Sequence, residues 1–147
     1  MGMIAFTVRP IRDSAERDAC YLVRMKVFVD EQNVPPWEEI DEFDETAEHY
    51  AALCEGETVG TARLVDKGGG LAKIGRVAVL EEHRGKGLGK SLMQAIAESA
   101  AGRFHTLTLD AQLYVIPFYE SLGYIAAGDI FLDAGIEHRR MTLSLGT

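Results

Sequence analysis

The stretch from Arg76 to Ala100 constrains the fold more than any other part of the 147-residue chain. It begins with a short apolar run at residues 76–80, rich in β-branched side chains, which is typical of a buried strand. A basic loop follows, with glycine at positions 85, 87 and 89. From Leu88 to Ala97 the apolar residues recur at the helical period. The stretch therefore predicts a strand, a glycine loop and a helix in direct succession.

This loop has the properties of a pyrophosphate site. Glycines let the backbone approach an anion closely and adopt angles that other residues avoid. The first amides of a helix have no intrahelical acceptor, and the helix dipole favours negative charge there. Arg84, Lys86 and Lys90 add positive charge in a chain whose formal net charge is −8. A solvated loop without a ligand is the alternative, and the local excess of cations favours the anion site.

Two nucleotide-binding motifs fail on spacing. Residues 89–91, Gly-Lys-Ser, resemble the end of a P-loop, but the position that needs its first glycine is Arg84. Residues 85–89 also lack the dinucleotide-binding spacing. In addition, the predicted antiparallel strands before the loop are not the order of a P-loop protein. A nucleotide triphosphatase is therefore disfavoured.

Length and composition predict one globular domain spanning residues 1–147. The acidic balance argues against a nucleic-acid partner. No run approaches membrane-spanning length and Met1 to Pro10 does not resemble a signal peptide, so no membrane association is expected. Cys20 and Cys54 lack metal-ligand spacing and are interpreted as reduced core thiols of a cytoplasmic protein.

The periodicity along the chain predicts the order β–α–βββ–α–β–α–ββ. The first strand is expected at Ile4 to Arg9, ended by Pro10, and the first helix is expected to be capped by Asp13 or Ser14. Pro117 is expected at the start of the short last helix, with Gly123 ending it. The other strands are predicted at residues 49–55, 58–66, 71–80, 106–109, 124–126 and 138–145.

The segment from Val29 to Ala47 is polar and interrupted by Pro35-Pro36, which excludes a helix or a central strand at that point. We expect a loop with a short helical turn lying over the domain. Asp41, Asp44 and His49 could suggest a metal site. A solvated acidic face is the favoured interpretation, because no hard-cation loop pattern is present.

Arg84, Gly87 and Gly89 form an Arg-x-x-Gly-x-Gly pattern that resembles the acetyl-coenzyme A loop of the GNAT N-acetyltransferase superfamily. Residues 118–124, FYESLGY, resemble its second signature, with Ser and Tyr departures at 121 and 124. Residues 28–32 together with Asp-Ala-Gln at 110–112 look like the ElaA-like group. The resemblance implies the α/β (α+β) GNAT acyl-CoA N-acyltransferase fold, a mixed sheet of about seven strands splayed near its centre, with about four helices.

The resemblance also implies how acetyl-CoA, the cosubstrate, is held without any metal. The main chain of Val77, Ala78 and Val79 would bind the pantetheine arm, with one N–H polarising the thioester carbonyl. Tyr119 matches the tyrosine that protonates the departing sulfur, the alternative being a core aromatic with a satisfied hydroxyl. The pyrophosphate positions are Arg84, Gly85, Lys86, Gly87, Leu88, Gly89 and Lys90.

The acceptor side of the site is compared with glyphosate N-acetyltransferase. His138 resembles its histidine base, while Glu31, Asp110 and a water path remain alternatives. Arg24 and Arg76 fall on arginines that hold an acidic substrate, although Arg24 could equally be a surface charge. Gln112 stands where a third substrate-binding arginine would be.

The predicted function is transfer of the acetyl group of acetyl-CoA to the primary amine of a small molecule, by direct attack with general acid and base assistance. The alternative is an acetyl-CoA-binding sensor or interaction module without turnover. Neither the acceptor nor homodimer formation is determined by the sequence.

Overall fold

A computed structural model describes residues 6–146, and its centre is a seven-stranded mixed sheet in the order β1-β2-β3-β4-β5-β7-β6. The predicted element order and fold class are confirmed, although Ile4 of the predicted first strand lies outside the described residues. The strands are β1 Phe6–Pro10, β2 Glu48–Cys54, β3 Glu57–Gly68, β4 Leu71–Val79, β5 Thr106–Gln112, β6 Ile125–Asp133 and β7 Ile136–Ser144.

Among the described residues, four α-helices accompany the sheet: α1 Ser14–Arg24, α2 Pro36–Glu39, α3 Leu88–Ala100 and α4 Ile116–Ser121. Asp13, one of the two predicted cap residues, caps α1, and its carboxylate accepts from the Glu16 amide at 2.9 Å. A π-helical segment, Met25–Glu31, continues α1. Within residues 6–146 no helix is long and apolar enough to cross a membrane.

The segment after the π-helical turn folds over the sheet, as predicted, but the exclusion of helix at Pro35-Pro36 is wrong. Pro36 opens α2, because a proline in the first turn loses no hydrogen bond and its fixed φ suits a helix start. A 3₁₀ turn at Glu42–Glu45 follows, capped by Asp41. This covering segment of residues 36–45 forms one wall of the site described below.

The two faces of the sheet are covered by different helices, because side chains alternate along each strand. On one face α3 packs Leu92 and Ile96 against Tyr50, and all three side chains are fully buried. On the other face Cys20 of α1 packs against Ala51. Both predicted core thiols, Cys20 and Cys54, are buried and free.

The sheet splits between β4 and β5, as the resemblance implies. These parallel neighbours pair only at Leu71–Thr106, Ala72–Leu107 and Lys73–Thr108. Beyond Lys73 the strands diverge, and β5 remains paired with β7 on its other side. The divergence opens a cleft through the middle of the sheet, and the candidate site lies in it.

Candidate active site

A cavity of about 400 Å³ occupies the split between β4 and β5. On the face that carries α4 it is lined by Val115 and Tyr119, and on the opposite face by His138 and the covering segment. It therefore connects the two faces of the sheet. The predicted site residues that line it are Arg76, Val77, Gln112, Tyr119 and His138.

The edge of β4 that faces this cavity is open, because its pairing with β5 ends at Lys73. The other edge carries a bulge: Thr61 pairs with Ala78 and Arg63 with Gly75, so two β4 residues oppose one β3 residue. Arg76, in the bulge, has a φ of 53°. A non-glycine residue in this left-handed region costs about 1–3 kcal/mol and marks a backbone held in place by its surroundings. The open edge offers main-chain donors and acceptors to an extended ligand.

The glycine loop leads from β4 into α3 beside this open edge. Gly85 and Gly87 have φ values of 78° and 83°, so each needs the freedom of glycine. Gly87 caps α3 without a side-chain hydrogen bond to the helix amides, which leaves the first-turn N–H groups available to an anion. The structure thus has the strand, loop and helix arrangement that the sequence predicts.

Among the cations of the loop, Arg84 makes two contacts with the rest of the protein. Its guanidinium contacts the Glu31 carboxylate at 2.8 Å, and its Nε donates to the Val79 carbonyl at 2.9 Å. Both charged side chains of the pair are more than a third exposed, so the ion pair is weak and a ligand phosphate could replace Glu31. Glu31, one of the alternative bases, is therefore associated with the loop and does not line the cavity.

Tyr119 lies at the end of the cavity nearest α4, with only 8% of its surface exposed. Its ring makes edge-on contacts with Phe118 and Tyr124, at centroid distances of 5.1 and 6.0 Å, which fix its orientation. Burial raises the pKa of Tyr119 to about 12. The hydroxyl is therefore protonated at neutral pH and can serve as a proton donor.

His138 lines the cavity on the opposite face of the sheet, on β7. Its Nδ1 lies 2.7 Å from the Ile136 carbonyl, and its ring stacks on Phe131 at 5.9 Å. A carbonyl oxygen only accepts, so Nδ1 must carry a proton. In the neutral ring Nε2 is then unprotonated, which is the form that a general base requires.

Asp110, the other alternative base, is held as a carboxylate by two cations. Lys73 contacts it at 2.8 Å and Arg140 at 3.0 Å. Burial by itself would raise the pKa of Asp110, but the hydrogen bonds from Arg140 and Lys73 outweigh it, and the net pKa is lowered. A carboxylate of lowered pKa is a weak base, so this geometry favours His138 over Asp110.

Arg24 is not at the surface, and it does not line the cavity. Its side chain is 1% exposed and donates to Glu39 at 2.9 Å and to Asp44 at 2.7 Å. The surface-charge alternative is therefore wrong. The predicted contact of Arg24 with a substrate would require these buried ion pairs to break.

The solvated acidic face predicted for Asp41, Asp44 and His49 is also wrong, because Asp44 and His49 are 2% and 4% exposed. Burial by itself would raise the pKa of Asp44, but hydrogen bonds from Arg24 and the Asp41 amide hold it well below its usual range. His49 donates to the Asp44 carbonyl at 2.9 Å, and burial lowers its pKa. No group of three potential metal ligands converges anywhere in residues 6–146.

Two further arginines also bind carboxylates of the covering segment. With Arg24 they form an ion cluster that holds this segment on the sheet. Arg63, which the sequence analysis missed, contacts Asp41 at 2.7 Å and Asp44 at 2.9 Å. Arg76 contacts Glu39 at 3.1 Å and Asp41 at 3.2 Å, and its side chain is 25% exposed. The sequence does contain a signal for the ion pairs of Arg63, because an arginine inside the apolar strand β3 requires a buried partner of opposite charge. The cluster consists of Arg24, Arg63, Arg76, Glu39, Asp41 and Asp44.

Gln112 connects the sheet to the π-helical segment. Its side-chain amide donates to the Gln32 Oε1 at 2.9 Å, and both residues line the cavity. Because Gln112 pairs with His138 in the β5–β7 ladder, the two side chains lie next to each other on one face. Gln112, which is predicted to face the acceptor, therefore brings no charge to this part of the cavity.

Comparison with known proteins identifies the family. The model of the acetyltransferase (GNAT) domain family matches residues 12–145. The chain belongs to the GNAT acetyltransferase family. YjcF of Bacillus subtilis, named an uncharacterized N-acetyltransferase, is 42% identical over 127 residues, covering 85% of this chain and 89% of its own.

Solved GNAT structures have the same fold over nearly the whole length. ElaA of Escherichia coli superposes with a TM-score of 0.82 at 29% identity, covering 95% of this chain and 99% of its own. An acyl-CoA N-acyltransferase from Pseudomonas aeruginosa superposes with a TM-score of 0.81 at 28% identity, with the same coverage. This GNAT protein is accordingly an acyltransferase.

Proposed function

We propose that this GNAT acyltransferase transfers the acetyl group of acetyl-CoA to the primary amine of a small molecule. The observation that carries the proposal is the single cavity that joins the open edge of β4, Tyr119 and His138 across the split sheet. Acetyl-CoA would approach from the α4 face and the amine from the face covered by residues 36–45. The structural neighbour from Pseudomonas aeruginosa is named an acyl-CoA N-acyltransferase, which supports a coenzyme A thioester as the acyl donor.

In this scheme the thioester lies along the open edge of β4. The pyrophosphate is held by the amides of residues 85–90 and by Arg84, Lys86 and Lys90. Main-chain N–H groups of residues 77–79 bind the arm, and one of them stabilises the oxyanion of the tetrahedral intermediate. The bulge at Arg76 fixes the direction of these amides before the ligand binds.

Two side chains move protons. His138 Nε2 accepts a proton from the attacking amine, either directly or through water. The amine nitrogen forms a bond to the carbonyl carbon, and collapse of the intermediate breaks the carbon–sulfur bond. Tyr119 then donates its proton to the departing thiolate. The two groups act from opposite faces of the sheet, so that the base can reach the amine while the acid reaches the sulfur.

The deciding experiment is release of coenzyme A from acetyl-CoA in the presence of a panel of small primary amines. Amine-dependent release, with the acetylated amine identified by mass spectrometry, is the expected result. Binding of acetyl-CoA without release with any amine would instead support the sensor alternative.

Replacing His138 by glutamine should lower kcat for the best amine at least about tenfold, because the base is lost. This loss can be smaller than the roughly 10²–10⁴-fold that is usual for general base catalysis, since solution supplies some neutral amine. The Kd for acetyl-CoA, measured by calorimetry, should not change. An unchanged kcat would exclude His138 as the base and leave a water path.

Replacing Gly87 by alanine should weaken acetyl-CoA binding about tenfold, because the free loop relaxes from a φ of 83°, which costs alanine about 1–2 kcal/mol, and must regain it to bind the ligand. Gly102→Ala is a matched control: its φ is also 83°, and no atom lies within 4 Å of the added Cβ at either position. Neither variant should lose more than about 1–2 kcal/mol of stability. Only Gly87→Ala should change the calorimetric Kd, and equal effects on Kd would contradict the proposed role of the loop.

A further inference from the structure

The arginines that line the acceptor side of the cavity are already engaged by carboxylates. Arg63 and Arg76 both contact the Asp41 carboxylate. Arg63 also contacts the carboxylate of Asp44, and Arg76 that of Glu39. Together with Arg24 the ion cluster has three arginines and three carboxylates, so its formal charges cancel. A substrate anion that took one of these arginines would leave three carboxylates with only two arginines, and an uncompensated charge in this largely buried cluster is costly.

Lys73 differs from these arginines because two cations share its one carboxylate partner, so one of them is in excess. Lys73 contacts Asp110 at 2.8 Å, and Arg140 contacts the same carboxylate at 3.0 Å. If the Lys73 ammonium turns to a ligand, Asp110 keeps Arg140. The Lys73 side chain is 35% exposed and lines the cavity, so it can reach a bound molecule.

Lys67 brings a second ammonium group to the same wall. Val65 pairs with Lys73 in the β3–β4 ladder, and Lys67 follows two residues later, in a bulge at the end of β3. The Lys67 Nζ lies 4.9 Å from the centre of the Phe43 ring, which holds it at the rim of the cavity. Asp133 and Asp41 are the other acidic residues in the lining, and Asp41 already contacts two arginines.

The register of the strands gives the distance from these lysines to the reacting centre. Lys73 reaches the side chain of Asp110, while His138 is paired with Gln112, two residues further along β5. Two residues of extended strand span about 7 Å. An amine beside His138 and an anion beside Lys73 would therefore be separated by roughly this length of chain.

We propose that Lys73 and Lys67 form a carboxylate subsite, so that the acceptor is an amine with a carboxylate about 7 Å from its nitrogen. This inference rests on the proposed acetyl transfer and names its substrate class. The subsite replaces the anion-binding role that the sequence predicts for Arg24 and Arg76. It disfavours α-amino acids, whose amine and carboxylate are too close together to reach both ends.

The test compares 5-aminopentanoate, which has a suitable extended length, with its uncharged analogue 5-aminopentanamide. Calorimetry on wild-type protein saturated with coenzyme A should give at least about tenfold tighter binding of the carboxylate, because a charge-assisted hydrogen bond is lost in the amide. Lys73→Gln should reduce this preference to within about twofold, and Lys67→Gln should reduce it partly. Lys26→Gln, which removes a lysine outside the cavity, should preserve it.

Equal binding of the two amines to wild type, or an unchanged preference in Lys73→Gln, would overturn the subsite. Acetyl transfer is measured separately with both amines. If the carboxylate preference depends on Lys73 but no coenzyme A is released with any amine, the subsite stands and the proposed function fails. If both amines are acetylated with equal kcat/KM, the proposed function stands and the subsite fails.

Discussion

Replacing Arg24 by methionine is expected to lower the free energy of unfolding by about 3 kcal/mol. The guanidinium is 1% exposed and makes four hydrogen bonds, to the carboxylates of Glu39 and Asp44 and to the Glu39 carbonyl. Removing one member of a buried ion pair leaves the other charge without compensation, which costs about 3–5 kcal/mol. Asp44 keeps Arg63 and Glu39 keeps Arg76, so the lower end of that range applies.

Urea denaturation followed by circular dichroism measures this effect. Arg17→Met is the control on the same helix, because its side chain is 41% exposed and its contact with Asp18 is 3.8 Å long. It should cost less than about 1 kcal/mol. The double variant Arg24→Met/Asp44→Asn should be less destabilised than the sum of its single variants, since the second change removes a carboxylate charge that the first leaves in excess. Additive losses, or a loss below 1 kcal/mol for Arg24→Met, would contradict the cluster as the support of residues 36–45.

The cluster also marks the limit of what the sequence predicts. The glycine loop, the cap at Asp13 and the start of α3 depend on residues that are neighbours in the chain, and all three were predicted correctly. The partners of Arg24 are 15 and 20 residues away, on a segment with little regular periodicity. An arginine on a helix gives no local indication of whether it faces water or a buried carboxylate.

The split in the sheet likewise has some features that the sequence predicts and others that depend on residues distant in the chain. The resemblance to GNAT proteins predicted the split. Which cationic side chains line the cleft depends on the register between neighbouring strands, which the resemblance does not give. Parallel pairing at Lys73–Thr108 brings Lys73 within reach of Asp110, and the β5–β7 register places His138 beside Gln112. The left-handed conformation of Arg76 is equally non-local, because nothing in its residue type favours a positive φ. These features decide which cations remain for a substrate.

Replacing Tyr119 by phenylalanine is expected to lower kcat for acetyl transfer at least about 100-fold. The ring contacts of Tyr119 with Phe118 and Tyr124 persist in the variant, so only the proton donor is lost. Because burial raises the pKa of Tyr119 to about 12, the wild-type hydroxyl remains protonated across the neutral range. A thiolate that departs without a proton is a poorer leaving group, and the loss should therefore appear in kcat while the Kd for acetyl-CoA stays unchanged.

Tyr124→Phe provides the matched control, because this second buried tyrosine packs against the first. Within the described residues the Tyr124 hydroxyl has no hydrogen-bond partner, so its removal breaks no contact and relieves the burial of a polar group. Tyr124→Phe should keep the wild-type kcat and lose no thermal stability. Equal losses of kcat in the two variants would mean that Tyr119 acts through packing. Full activity in Tyr119→Phe would assign proton delivery to water.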